Sequence, residues 1–268
     1  MIPLSVCTIA WQRKDRYASP PPIEIPLPDL VPRLPGLGFT GVEIWEPHLA
    51  ALPATDVPAL RQRLADLGLA VPMVSGYYDF TGDAERCAAS ERHAEAVLTR
   101  TAAVGGSAIR IFTGKQRTST CTPEGRVRAV AALRRLADRG ADLGIRLAAE
   151  VHDWNLTDSV DNCLSLVDEI GRPSFGLIFH PSMFSPDPLP AMERLWPWIF
   201  HIHATNPPGG IADGPIDWRR LVAALAGRGY AGWLSVEWFA EHPDTATARE
   251  AAALGAALAA LARPGGGA

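Results

Sequence analysis

The chain has 268 residues, 47% hydrophobic and 20% charged, enough apolar surface for one large core and a better match to a single α/β barrel than to two small domains. A net charge of −4 with no Lys/Arg block excludes the basic stripe that a nucleic-acid partner demands. No apolar run approaches the ~20 residues of a membrane helix, the N-terminus lacks a basic region followed by an apolar one, and the four cysteines are far apart; a cytoplasmic protein with reduced thiols is expected.

Short apolar runs alternate with helical periodicity along the whole chain. Strands are predicted at residues 4–9, 42–45, 71–75, 108–112, 146–150, 175–180, 200–203 and 233–237. Helices are predicted at 57–67, 84–104, 123–143, 159–170 and 218–228, with an Ala-rich terminal helix at 251–262. Thr122 before Pro123-Glu124 is an N-cap pattern, and Gly68, Gly144, Gly171 and Gly229 stand where left-handed caps would end helices. Eight strands alternating with helices imply parallel pairing and closure into a single (β/α)₈ TIM barrel over residues 1–268. A doubly wound open sheet is the competing fold, but no Gly-rich phosphate loop follows the first strand. Two Pro/Gly-rich segments, 12–35 and 206–214, are expected across the barrel mouth.

Four lone polar residues close four consecutive apolar runs: Glu150, His180, His203 and Glu237. Their spacings of 30, 23 and 34 residues each approximate one strand-plus-helix unit. Side chains alternate across a strand, so if these four point into the barrel the opposite side receives Leu147, Ala149, Leu177, Phe179, Ile202, Leu234, Val236 and Trp238. That set is apolar, as packing on helices requires. Two carboxylates and two imidazoles at neighbouring strand ends form a donor set for a divalent metal, whose charge would offset the cost of burying the carboxylates. His201 lies one layer deeper and is expected to be a hydrogen-bonded interior histidine; Glu43 and His48 after strand two are left without a role.

The segments Gly214-Pro215-Ile216-Asp217-Trp218 and Gly229-Tyr230-Ala231-Gly232-Trp233-Leu234-Ser235-Val236-Glu237 resemble the closing signature of the xylose isomerase-like sugar phosphate isomerase/epimerase superfamily. Gly38 to Trp45, Ile109-Arg110-Ile111-Phe112, Glu150-Val151-His152 and His201-Ile202-His203-Ala204 agree in order, so the resemblance spans essentially the whole chain. It implies that Glu150, the residue at 180, His203 and Glu237 hold one divalent ion, and that the protein assembles as a dimer or tetramer. The chain departs from the family where Asp-Pro-Ser-His is usual: here the run is His180-Pro181-Ser182-Met183, and Thr205-Asn206 replaces a common Lys-Asp pair. Losing one anionic ligand favours Mn²⁺, the metal expected here, or Fe²⁺, Co²⁺ or Zn²⁺, over Mg²⁺.

A metal held this way chelates the adjacent carbonyl and hydroxyl oxygens of a polyhydroxylated small molecule and acidifies the C–H between them. Removing that proton gives a cis-enediolate. The first reading is therefore an isomerase or epimerase of a ketose or related polyol, with Glu150 and Glu237 as the acid/base pair the resemblance implies and His152 as a relay. The alternative is a dehydratase or lyase on a cyclic keto-polyol of the inosose or 3-dehydroshikimate kind, or on a C-glycoside or other natural product. A member that has lost catalysis is the further alternative. Arg110, with Lys115 nearby, is a candidate for an anionic group on the substrate, and Trp11 and Trp154 for an apolar wall against a ring.

Overall fold

The computed structural model describes residues 1–16, 18 and 20–261. Eight parallel strands close into a barrel in chain order: β1 Leu4–Cys7, β2 Gly41–Trp45, β3 Ala70–Ser75, β4 Ala108–Ile111, β5 Arg146–Glu150, β6 Phe175–Phe179, β7 Ile199–Ala204 and β8 Leu234–Val236. Each strand is followed by a principal helix on the outside: α1 Leu27–Leu30, α2 Val57–Asp66, α3 Ala84–Val104, α4 Pro123–Asp142, α5 Val160–Ile170, α6 Leu189–Leu195, α7 Trp218–Gly227 and α8 Pro243–Leu261. The predicted fold is the observed one. Among the described residues no helix is long and apolar enough to cross a membrane.

Local chemistry accounts for the helix boundaries. Thr122 accepts the Gly125 N–H at 3.1 Å and Pro123 opens α4, as its sequence predicts. Asp83, Ser159 and Asp217 cap α3, α5 and α7 in the same way. The terminal helix begins at Pro243, earlier than the predicted Ala251, because Pro243 and Asp244 suit a first turn and the Thr247 hydroxyl bonds back to the Pro243 carbonyl at 2.7 Å; Ala262 lies outside the described residues.

Strand alternation sorts the core into two unlike parts. The outward side chains of β5 to β8, including Leu147, Leu177, Ile202 and Val236, join the helices in one continuous apolar cluster. The inward side chains are different: Ser5, Glu43, Ser75, Arg110, Glu150, His201, His203 and Ser235 are all buried, alongside a small apolar group of Met73, Ala108, Ala148 and Ile178. Trp238 packs against the outer cluster as predicted and has a second neighbour. The ladder ends at Val236, and past it Trp238 also lines a cavity above the barrel.

One glycine makes the barrel floor possible. Pairing between β6 and β7 slips between Leu177 and Ile178, and Phe200 occupies the irregularity. Its ring and the Trp198 carbonyl oxygen both lie 2.6 Å from where a Cβ on Gly176 would stand. Gly176→Ala is therefore expected to destabilise the fold by about 2–3 kcal/mol, read as a fall in Tm of roughly 5–10 °C.

Candidate metal centre

The four predicted residues converge at the C-terminal mouth. Glu150 ends β5, His203 lies within β7, and His180 and Glu237 stand just past the ends of β6 and β8. Each contributes one donor atom, and the four atoms lie within 4.8 Å of one another.

Outer partners set the direction of both imidazoles. Nε2 of His203 meets Glu43 Oε1 at 3.1 Å, which leaves Nδ1 facing Glu150 Oε1 at 3.1 Å and Glu237 Oε2 at 3.5 Å. The hydroxyl of Ser182 bonds Nδ1 of His180 at 2.7 Å, leaving Nε2 toward Glu150 Oε1 at 3.8 Å. Thr205 donates in turn to Ser182 at 3.2 Å. Such carboxylate–imidazole and hydroxyl–imidazole contacts hold a metal ligand in one tautomer and one orientation.

Arg110 lies flat beneath the mouth, its guanidinium 4.7 Å from the ring centroids of both Tyr77 and Phe112. Its Nη1 reaches Glu150 Oε2 at 3.1 Å and Glu237 Oε1 at 3.7 Å. Arg110 thus cancels carboxylate charge inside the barrel, and its edge also lines the cavity.

Burial opposes ionisation of both carboxylates, and their partners decide the outcome differently. For Glu150 the His203 imidazolium and the Arg110 guanidinium overcome burial and hold its carboxyl well below the usual range. For Glu237 burial prevails over the attraction of His203, with the charge of Glu150 adding to it, and the carboxyl is pushed up to about 7. Burial also disfavours a charged His203, but Glu43, Glu150 and Glu237 surround it and raise it well above an ordinary histidine. Burial brings His180 down to about 4, so it is a neutral donor near pH 7. Without metal, Arg110 and the His203 imidazolium balance Glu43 and Glu150, and Glu237 keeps its proton. A divalent cation held by these donors would take the place of the protons on His203 and Glu237 and preserve that balance. The donor set fits such an ion in both geometry and charge.

Residues 33–258 match the model of the xylose isomerase-like TIM barrel family. The chain belongs to this family. It is 25% identical over 209 residues to a 3-dehydroshikimate dehydratase of Bacillus anthracis, covering 75% of this chain and 71% of that protein. It is 28% identical over 204 residues to a ketose 3-epimerase of Arthrobacter globiformis, covering 69% and 68%. Among solved structures, an L-ribulose 3-epimerase superposes over the full length of both chains with a TM-score of 0.79 at 19% identity, a likeness of fold.

In this xylose isomerase-like barrel the other sequence candidates divide. His152 and Trp154 join Arg110 around a cavity of about 410 Å³ above the quartet, with Tyr77, Phe112 and Trp238 completing its aromatic wall. The ring of His152 lies 5.9 Å from that of His180, and its Nδ1 is 2.9 Å from Asp153. Trp11 is elsewhere: it is buried, donates to Asp244 at 2.5 Å, and lines a separate cavity with Arg13 and Glu24. His201 bonds Glu43 Oε2 at 3.0 Å, as an interior histidine should. Glu43 is the residue that sequence reasoning left without a role. Fully buried, it takes bonds from His201, His203 and Ser75 and orients the metal-facing nitrogen of His203. Its signal was available in the inward alternation of Gly41, Glu43 and Trp45 along β2.

Two outcomes follow for metal binding. Glu43→Gln keeps the shape but loses the charge behind His203, and should weaken Mn²⁺ binding about 10–100-fold in a calorimetric titration. Metal binding should also release protons. Glu237 and His203 are both raised, so both are protonated at low pH and compete with the ion. Affinity should climb about a hundredfold per pH unit below pH 7 and about tenfold per unit just above it, where only His203 still releases a proton.

Proposed function

We propose that this protein is a divalent-metal-dependent lyase that removes the proton next to the carbonyl of a small cyclic hydroxylated ketone and expels the β-hydroxyl as water. Mn²⁺ is the proposed ion, since two imidazoles and two carboxylates make a donor set of intermediate softness. Bound at the quartet, the ion supplies a Lewis acid that polarises the carbonyl and acidifies the neighbouring C–H.

The observation that carries this reading is the inequality of the two carboxylates. Both oxygens of Glu150 are engaged, Oε1 by His203 and Oε2 by Arg110, each at 3.1 Å. Glu237 makes only the longer contacts, at 3.5 and 3.7 Å. Glu150 therefore stays ionised as a fixed charge, and Glu237 is the group free to carry a proton. An epimerase must deprotonate one face of a carbon and reprotonate the other, which calls for two proton carriers. Elimination needs one. Glu237 takes the C–H proton, the freed electron pair becomes the new C=C bond, the β C–O bond breaks, and the same proton passes from Glu237 to the departing hydroxyl. The wall of Tyr77, Phe112, Trp154 and Trp238 offers flat faces suited to a ring. His152, at the rim, is placed to meet a ring hydroxyl.

The second reading is isomerisation or epimerisation of a ketose or related polyol. It is supported by the resemblance to a ketose 3-epimerase and by the presence of two carboxylates at one centre. The two reactions part in deuterated water. Elimination gives a product absorbing in the ultraviolet as a conjugated enone or a catechol, while isomerisation or epimerisation leaves deuterium on carbon without loss of water. A panel of cyclic hydroxyketones, including 3-dehydroshikimate and inosose, and of ketohexoses is expected to show elimination from the cyclic members only, read as a new enone absorbance from inosose and as an aromatic catechol absorbance from 3-dehydroshikimate, which is itself an enone. Glu237→Gln should reduce kcat by about 10²–10⁴-fold with metal still bound; full turnover by that variant would remove Glu237 from the reaction.

A further inference from the structure

A second cavity opens beside the first and is larger, about 980 Å³ against about 410 Å³. The two share Tyr77 and Trp154 as common wall. They also meet at Arg16, which lines the larger cavity and lies 4.1 Å over the ring of Phe239 in the smaller one. A six-carbon hydroxyketone needs only the smaller space, since pockets of about 300–1,000 Å³ already bury drug-sized ligands. The larger one has no part in the chemistry proposed above.

Its lining indicates what it takes. Tyr77 and Trp154, both partly exposed, supply flat aromatic faces, and Ile23, Pro47 and neighbouring prolines and alanines supply the rest of the wall, with Trp45 fully buried behind it. Its charged and imidazole groups among the described lining residues are few and set at the edges: Arg16, Glu46, His93 and Lys115. The carboxylate of Glu46 is already engaged by His93 at 3.3 Å. Lys115 is the opposite case. The Thr81 hydroxyl accepts its backbone N–H at 3.2 Å, fixing its base at the cavity, and its exposed ammonium makes no ion pair among the described residues.

We propose that the substrate is a conjugate: a hydroxyketone ring at Glu237 joined to a planar aromatic group that fills the second cavity against Trp154 and presents an anionic substituent to Lys115. This rests on the proton-abstraction reading above for the first ring, and on the second cavity alone for the distal group. The distal group stacks on Trp154 and binds by area. The anion sets its orientation.

The test has two arms on the Mn²⁺-loaded protein. In the first, 2-naphthoate is titrated calorimetrically as a probe of the second cavity. It should bind, with affinity reduced about tenfold by Ala51→Trp, which fills the cavity, and by Lys115→Ala, while Lys115→Arg retains it and uncharged 2-naphthylmethanol binds about tenfold more weakly. Glu237→Gln should leave naphthoate binding unchanged. In the second arm, α-proton exchange in deuterated water is compared for dihydroxyacetone and its 6-carboxy-2-naphthyl ether. The conjugate should be favoured at least about tenfold in kcat/KM, and Ala51→Trp should erase that advantage. Absence of naphthoate binding, or binding indifferent to Ala51→Trp and Lys115→Ala, overturns the distal-group assignment, as does equal exchange of both ketones. If naphthoate binds as expected and neither ketone exchanges, the proton-abstraction reading fails instead, and with it the conjugate.

Discussion

His203 is the group on which the rest of the centre depends. Its two nitrogens lie within hydrogen-bonding reach of Glu43 and Glu150, with Glu237 a little farther, and the ring has no exposure to solvent. Buried charges are tolerated only when paired and hydrogen-bonded, so this one imidazole allows three carboxylates to share a barrel interior. Arg110 completes the balance from the other side. The floor beneath them is built of small or apolar side chains such as Ser5, Ala108, Ala148 and Ser235, which leave room for the large polar ones above. Space below and charge above are two sides of the same packing solution.

The fold was legible because strand alternation has period two and the outward side of each strand is apolar. The same alternation brought out the quartet, since a lone Glu or His closing an apolar run is conspicuous. Glu43 was harder to see. It sits in the middle of β2 between Val42 and Ile44, with no strand end to mark it, and its meaning depends on His201 and His203, more than 150 residues away. Trp11 was misleading for a related reason. Position after β1 suggested the mouth, but the chain winds at once into a 3₁₀ turn that buries the indole against α8 through Asp244. Trp238 packs on the helices as alternation predicts, but its place in the cavity wall was hidden because β8 is only three residues long. In each case a long-range partner or the end of a ladder set what a local periodic signal could not show.

The cavity above the metal centre combines a polar floor with an aromatic wall. Aromatic walls carry few dipoles that can reorient, so the field of the Glu150–Arg110 pair below is screened less there than it would be in water. His180 fits this setting. Uncharged near neutral pH and aligned through Ser182 by Thr205, it adds a donor without adding charge, where the family usually places an acidic residue.

The turn after β5 links chemistry to recognition. Thr157 donates to the backbone carbonyl of Glu150 at 2.6 Å and Asn155 to the same oxygen at 3.4 Å, while Leu156 is tied to Thr113 at 2.9 Å. Trp154 stands on that turn. The span from the end of β5 to Trp154 is therefore held by side chains that fold the turn back onto the Glu150 carbonyl. The barrel carries a built-in ruler, with its zero at the end of β5 and its far mark at Trp154, and a ligand's reach from that strand end is measured against it.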